Sequence, residues 1–207
     1  MEKPYGCKLP RKFYLQDTLE IARGLLGKYL VHENAQGMTV GKIVETEAYL
    51  GKDDPASHAF GGKKTERTEV QFKVGGHVYV YLIYGMYNCF NIVTEKEGEP
   101  KSVFVRALEP IAGQDLMRDR RGITDESVDG LVELTNGPGK LCMAMDIDTS
   151  MSGKDLCEDE IFVTYPKDED HMKIVSSERI NIDYAGEAKR WPWRFFIKDN
   201  SFVSSSE

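Results

Sequence analysis

The segment V-E-T-E-A-Y-L-G at 44–51, preceded by Ile43, carries two carboxylates and a phenol at alternate positions. In an extended strand this alternation puts Ile43, Glu45, Glu47 and Tyr49 on one face and Val44, Thr46, Ala48 and Leu50 on the other. The second set is small or apolar and suits a core. The first set places a carboxylate beside an aromatic wall, which is an arrangement that can activate a water by accepting its proton. Alternation does not choose between Glu45 and Glu47, and it is equally compatible with both being solvent-facing strand residues. His58 follows eleven residues after Glu47, in a polar stretch where a lone histidine is commonly a surface residue. Arg106 interrupts an otherwise apolar run, V-F-V-R-A-L at 103–108. A buried arginine needs a carboxylate or another acceptor, so Arg106 is either a site residue or half of a structural ion pair.

A second concentration of chemistry lies at 78–91, V-Y-V-Y-L-I-Y-G-M-Y-N-C-F-N, where Tyr79, Tyr81, Tyr84 and Tyr87 fall within nine residues. Tyrosine presents a flat apolar face with a polar tip, which suits contact with a base, a sugar or a partly wet ligand. Strand-forming residues on both sides of Gly85-Met86 predict an antiparallel hairpin with Tyr84 at or beside its tip. Taken alone, the run is better explained as an aromatic-rich core hairpin. A core, however, gives a tyrosine little reason to sit at a hairpin tip.

The elements that must position these groups are legible in outline. Asp17-x-x-Glu20 is a capping box for a short helix with Leu19, Ile21, Ala22, Leu25 and Leu26 as its apolar face, stopped by Gly27. Strands are expected at 28–32 and 38–50, followed by a long glycine-rich loop over 51–76 with at most one helical turn. After the hairpin come a strand over 102–108 ended by Pro110, a helix over 111–121, and a helix at 140–145 introduced by N-G-P-G. A strand near 161–165 lies inside an acidic connection, and final strands are expected at 179–183 and 194–197, with 201–207 as a tail. Strands adjacent in sequence with helices grouped around them predict an α+β fold: a curved, mainly antiparallel sheet flanked by helices, with a protruding hairpin.

The chain has 207 residues, enough for one domain with a proper core. With 41% hydrophobic and 29% charged residues and no low-complexity tract or repeat, it has the composition of a globular protein. The first residues contain no apolar signal-like region and no apolar run reaches membrane-spanning length, so an intracellular chain with no membrane partner is expected. Cys7, Cys89, Cys142 and Cys157 lie far apart, as do His32, His58, His77 and His171, which supports neither a metal site nor a disulfide framework. The net charge of −7 argues against a nucleic-acid partner. Yet the charge is segregated. Acidic residues crowd 153–170 and 122–135, whereas Lys63, Lys64, Arg67 and Lys73 precede the hairpin. Further bases are Arg118, Arg120 and Arg121, then Arg179, Lys189, Arg190, Arg194 and Lys198. Such segregation would serve a protein with one phosphate-facing side, although solvated surfaces show it by chance.

An aromatic pocket, a general-base carboxylate, a protruding ring and a basic surround are the parts that a base-flipping enzyme needs. Chemistry on a base inside duplex DNA requires extruding the nucleotide, stacking the base on aromatic faces and filling the gap left behind. Six blocks occur in order: V-E-T-E-A-Y-L-G at 44–51, His58, Y-V-Y-L-I-Y-G-M-Y-N-C-F-N at 79–91, V-R-A-L-E-P at 105–110, N-G-P-G-K-L-C at 136–142 and A-G-E-A at 185–188. In these the chain strongly resembles the alkyladenine (3-methyladenine) DNA glycosylase family of base-excision repair, from Phe13 to Ile197. The resemblance implies one glycosylase domain over 13–198 with short extensions at 1–12 and 199–207, acting as a monomer on double-stranded DNA that contains damaged purines.

By position, the resemblance implies that Glu47 is the base that activates water, and that Arg106 contacts the flipped nucleotide and helps hold that water. Tyr49, His58 and Tyr81 match the residues that sandwich the base, which for a cationic purine is cation–π physics. Asn91 matches the residue whose bulk opposes the 2-amino group of guanine. Tyr84, with Met86 beside it, matches the intercalating wedge, and Thr65, Arg67 and Lys140 match contacts to the DNA backbone. No metal, no cofactor and no lysine nucleophile are implied, hence a monofunctional hydrolase without lyase activity. Three departures concern a loop expected to be more basic and to end in methionine and phenylalanine: Glu66, Glu69 and Gln71. Phe104 stands where an aliphatic residue is more usual. The acidic 153–170 segment is expected to face away from DNA. Two other classes fit some of the same residues: a non-catalytic binder of damaged DNA, which has no use for Glu47, and a nucleoside N-ribohydrolase, which has no use for Tyr84.

Overall fold

One long strand pairs with three others and so organises the sheet. The computed structural model describes residues 3–158, 160–167 and 171–204, and among these eight strands pair antiparallel. They are β1 (Tyr29–Asn34), β2 (Gly37–Tyr49), β3 (Val78–Ile83), β4 (Tyr87–Thr94), β5 (Lys101–Ala112), β6 (Ile161–Thr164), β7 (Ile174–Ser177) and β8 (Arg194–Ile197). The spatial order is β3-β4-β5-β2-β1-β6, and β8 pairs with both β2 and β7. Strand β2 is held by β5 on one side. On its other side, Gly37–Lys42 pairs with β1 and Glu45–Glu47 pairs with β8. This change of partner, together with bulges that bend the paired strands, curls the sheet, and the expected α+β class with a curved antiparallel sheet is what forms.

Two of those bulges set up the carboxylate face. Ile43 lies opposite Leu108, Glu45 opposite Ala107, and Thr46 opposite Val105. Val44 is therefore an extra residue on β2 and Arg106 an extra residue on β5, and the two offsets cancel. The first bulge breaks strict alternation, so Ile43 joins Val44 in the main core rather than sharing the face of Glu45, Glu47 and Tyr49. The second takes Arg106 out of the apolar alternation of β5 and re-aims its side chain at both glutamates. Solvent-facing glutamates are excluded: Glu45 and Glu47 are both 0% exposed.

Among the described residues, five helices cover the sheet: α1 (Arg11–Tyr14), α2 (Thr18–Leu25), α3 (Gln114–Arg121), α4 (Val128–Val132) and α5 (Pro138–Met145). The carboxylate of Asp17 caps α2 by accepting from the N–H groups of Leu19 and Glu20 at 2.9 and 3.3 Å. Glu20 does not complete the capping box and pairs instead with Arg23. The turn after α2 uses Gly27 at φ 79°, as the sequence suggests. Ile21, Ala22 and Leu25 of α2 pack with Leu141, Cys142, Ala144 and Met145 of α5 into one core with Leu30, Phe90, Ile92, Val103 and Phe195. Each leucine, isoleucine, valine, phenylalanine or methionine side chain removed from water there contributes about 1.5–3 kcal/mol.

Several expected boundaries move, each for a local reason. Strand β5 runs through Pro110, opposite Gly41, and on to Ala112. A proline lacks only the donor of a ladder, and Ile111 bulges beside it. The next helix starts at Gln114 because Gly113 is left-handed at φ 75°. The strand expected at 179–183 does not form, and β7 pairs with β8 in its place. Asn181 has φ 58°, and the Ile180 N–H is given to the Glu47 carboxylate rather than to a ladder. The 51–76 loop contains three short 3₁₀ turns, at Gly51–Asp53, Phe60–Gly62 and Glu69–Phe72. Residues 159 and 168–170 of the acidic connection, and 205–207 of the tail, lie outside the described residues. Both expected extensions touch the core: Leu9 and Phe202 are buried in it.

The 51–76 loop closes on Gly75. Its N–H donates to the Glu95 carbonyl, whose own N–H donates to the Tyr14 carbonyl, each at 2.8 Å. A Cβ there would land on the Tyr14 carbonyl oxygen and 2.9–3.0 Å from the Glu95 backbone. Backbone cannot yield as a flexible side chain can. Gly75→Ala should therefore lower stability by about 2 kcal/mol, a drop of several degrees in Tm for a chain of this size. An unchanged melting curve would remove the close approach as a constraint.

Candidate active site

The carboxylate of Glu47 is held by three segments that have nothing in common in sequence. The Tyr49 hydroxyl donates to Oε2 at 2.8 Å, the Ile180 N–H donates to Oε1 at 2.8 Å, and an Arg106 Nη lies 3.3 Å from Oε1. Oε1 thereby meets two donors and Oε2 one, so the remaining acceptor position belongs to Oε2. Glu45 is differently placed. Its Oε1 accepts from Nε of Arg106 and of Arg194 at 3.1 and 2.8 Å, and its Oε2 accepts from the Ser204 N–H at 2.7 Å. Two guanidinium groups and a backbone donor tie Glu45 into the frame. Burial opposes the charge on Arg106, but the Glu47 and Glu45 carboxylates outweigh it and hold its pKa above the ordinary arginine value. Burial, followed by the charge of Glu47, keeps the Tyr49 phenol well above its ordinary range, so Tyr49 remains a donor.

Tyr49, Arg106 and Ile180 also line a cavity of about 370 Å³, a size typical of small-molecule sites. Its walls include His58, Tyr81, Phe104 and Tyr184, and its rim includes Tyr84 and Tyr87. His58 and Tyr81 meet edge-on, with ring centroids 4.6 Å apart at 77°, while Tyr49 and Phe104 make a second edge contact at 6.5 Å. The structure thus brings Tyr49, His58, Tyr81 and Arg106 to one pocket. Phe104, 5% exposed, adds a ring to its wall. Asn91 does not line this cavity. It lies beside it, 3% exposed, and donates to the Tyr79 and Cys89 carbonyls.

The hairpin forms as expected, with Ile83 opposite Tyr87. Tyr84 and Gly85 are both left-handed, at φ 55° and 68°, and Met86 N–H closes the turn on the Ile83 carbonyl. Holding a tyrosine in that region costs about 1–2 kcal/mol. It leaves Tyr84 80% and Met86 66% exposed, an apolar tip at the rim of the pocket. Tyr79, by contrast, is a buried support whose hydroxyl meets His58.

Of the three expected backbone contacts, Thr65 is exposed and Arg67 turns back toward the site. The Arg67 guanidinium lies 4.9 Å from the Tyr81 ring centroid and donates to His58 Nε2 at 3.4 Å. Lys140, in the first turn of α5, is paired with Glu133 at 2.7 Å. Pro138 and Gly139 of the same turn line the pocket. Glu66 and Glu69 are exposed beside the equally exposed Lys63 and Lys64. Arg179 and Arg194, grouped with surface bases in the sequence, are 5% and 1% exposed and are not available to phosphates. Among the described residues no group of three or more His, Cys, Asp or Glu could hold a metal ion, and no helix is long and apolar enough to cross a membrane.

Sequence reasoning missed the segment 179–184. Arg179 grips Asp54 through two nitrogens at 2.6 and 2.9 Å and lies 4.8 Å from the Tyr49 ring centroid and 5.1 Å from that of Trp193. This fixes Tyr49 from behind and sets Ile180 where its N–H meets Glu47. Tyr184, 70% exposed, is anchored by its hydroxyl on the Ala56 carbonyl at 3.1 Å. The only sequence signal was the A-G-E-A block next to it.

A family model described as methylpurine-DNA glycosylase (MPG) matches residues 12–201. A relative from Clostridium novyi (strain NT) is 50% identical over 200 residues, covering 95% of this chain and 98% of its own. Relatives from Desulfitobacterium hafniense (strain Y51) and Clostridium tetani (strain Massachusetts / E88) are 46% and 49% identical, over 200 and 201 residues, with the same coverage of each chain. All three are provisionally named as 3-methyladenine DNA glycosylases.

The wall histidine is neutral under ordinary conditions. Burial, and then the neighbouring Arg67, lowers its pKa from 6.5 to about 4. Because Arg67 can only donate to Nε2, the proton sits on Nδ1 and donates to the Tyr79 hydroxyl at 2.9 Å. The unfolded chain takes up this proton near pH 6.5 and the folded chain near pH 4. The stabilisation due to neutral His58 is therefore complete above pH 6.5 and lost as pH falls toward 4. Imidazole resonances of His58 should titrate near pH 4, and His58→Gln should flatten the fall in urea midpoint between pH 6.5 and 4. Titration near 6.5 would contradict a desolvated ring.

Proposed function

The chain belongs to the methylpurine-DNA glycosylase family, and we propose that it removes alkylated or deaminated purines from duplex DNA with Glu47 as the general base. The observation that carries this reading is the Glu47 carboxylate, fixed by three residues that line an aromatic pocket. The substrates are 3-methyladenine, 7-methylguanine, hypoxanthine and possible relatives such as ethenoadenine, each extruded from the stack so that its ring lies among Tyr49, His58 and Tyr81. A neutral His58 suits this role, since a cationic wall would repel a methylated purine that itself carries positive charge.

A water bound at the free position of Oε2 gives a proton to Glu47 as its oxygen attacks the sugar C1′. The bond from C1′ to the purine nitrogen breaks, and the base leaves with that electron pair. A methylated purine leaves easily because it is already cationic, and hypoxanthine leaves once a proton taken up from solvent has made it so. Arg106 shares its charge between the two glutamates behind the pocket and orients the Glu47 carboxylate. Water as the nucleophile yields an intact abasic strand, so the enzyme is monofunctional. Tyr84, with Met86, enters the duplex where the nucleotide has left and offsets part of the few kcal/mol lost in unstacking. Exposed Lys63 and Lys64, with Thr65, lie on the loop that approaches the phosphates.

A gel assay on a hypoxanthine duplex tests the reading against a damage binder and a nucleoside hydrolase. Strand cleavage only after alkali supports it. Binding without cleavage, or activity on inosine but not on duplex, overturns it. Glu47→Gln should slow single-turnover excision by about 10²–10⁴-fold, the range for a general base, with damaged-duplex affinity retained. Wild-type rates in that variant would exclude Glu47 as the base. Tyr84→Ala should weaken preference for damaged over intact duplex by about tenfold, and equal preference in the two proteins would remove the wedge role.

A further inference from the structure

Beside the aromatic pocket lies a second, much smaller polar cleft of about 30 Å³. It shares Tyr49, His58, Tyr81 and Tyr184 with the pocket and adds Gln71, Asn91 and Ser102. That volume suits one small substituent or one or two waters, not a ring.

Gln71 comes from the last 3₁₀ turn of the loop before the hairpin and is 2% exposed. Its Nε2 donates to Ser102 Oγ at 3.3 Å, but its Oε1 is buried without a hydrogen-bond partner. An unsatisfied buried amide oxygen is costly, so its presence beside a binding pocket asks for a donor. Asn91 points to the same polarity. Its amide hydrogens go to the Tyr79 and Cys89 carbonyls, both at 3.2 Å, so the capacity left on its side chain is the acceptor oxygen. Two side-chain amides with acceptor capacity to spare, Gln71 and Asn91, therefore line one cleft beside the aromatic pocket.

We propose that Gln71 is a specificity-determining residue whose Oε1 accepts an N–H from the edge of the extruded purine, favouring bases with an exocyclic amino group over those with a carbonyl alone. The proposal rests on the purine-glycosylase reading above. An amino group supplies the donor that Oε1 lacks. A carbonyl brought to the same place sets acceptor against acceptor and leaves both unpaired. The discrimination arises because pairing is gained with one base and lost with the other, and one neutral hydrogen bond corresponds to about tenfold.

The test uses the full chain and two probes in one reaction: methylated duplex that yields 3-methyladenine, and a duplex that contains hypoxanthine. The readout is the ratio of the two released bases, which does not depend on how much of a preparation is folded. Gln71→Met, close in shape and without the acceptor, should lower the ratio of 3-methyladenine to hypoxanthine about tenfold. Gln71→Glu keeps an acceptor oxygen in either protonation state and should stay within about threefold of wild type. An unchanged ratio in Gln71→Met, or a shift toward 3-methyladenine, overturns the role of Gln71 alone. An equal fall in both variants marks Gln71 as packing and also overturns it. A wild-type enzyme that releases neither base overturns the glycosylase reading and the proposal with it.

Discussion

Six ionisable side chains lie buried behind the aromatic pocket, and their formal charges cancel. Glu45, Glu47 and Asp54 face Arg106, Arg179 and Arg194, all between 0% and 7% exposed. Withdrawing such groups from water costs several kcal/mol each, and mutual attraction recovers this only with near-complete hydrogen bonding. That condition explains much of the architecture. Glu45 lies between Arg106 and Arg194 and receives the Ser204 N–H, while Asp54 receives a two-nitrogen grip from Arg179. Glu47 differs in that all three of its partners, Tyr49, Arg106 and Ile180, line the pocket, whereas Arg194 and Ser204 beside Glu45 do not. Apolar replacement of such a cluster is often as stable, and here the ions hold Tyr49, Arg106 and Ile180, the three pocket-lining residues that meet Glu47.

The frame and the pocket are joined through backbone as much as side chains. Paired bulges at Val44 and Arg106 let two adjacent strands supply core on one face and charge on the other without losing register beyond them. The left-handed turn at Asn181 turns the Ile180 N–H inward to Glu47. At the opposite end of the sheet, Tyr84 accepts a left-handed backbone so that its ring stands clear of the hairpin. Bulges and left-handed backbone thus shape the site at Val44, Arg106, Asn181 and Tyr84, while α2 and α5 pack against the sheet in ordinary apolar fashion.

Much of this was legible before the tertiary structure. The Asp17 cap, the helix expected from Lys140 and found from Pro138, the tyrosine hairpin and the strand that holds Glu47 follow from local rules of capping, turn chemistry and alternation. Pro110 and the 179–183 stretch were misplaced because the forces that decide them are not local. A bulge carries β5 past its proline, and the strand-like residues after Arg179 are diverted to Glu47 and Asp54. Alternation also failed at Ile43, since it cannot register an inserted residue. Surface charge was the weakest guide. Arg179 and Arg194 look in sequence like Lys189 and Lys198, yet they are buried partners of carboxylates.

By itself, the sequence determined which groups are present and which share a strand face, and six ordered blocks were enough to indicate the family. It could not separate Glu45 from Glu47 by spacing, because both occupy the same face. Only the tertiary structure distinguishes their surroundings, since Arg106 is shared and the distant donors that differ come from Ile180, Arg194 and Ser204, as many as 159 residues away along the chain. Alternation is a property of one strand. The environment of a carboxylate is a property of everything that packs around it.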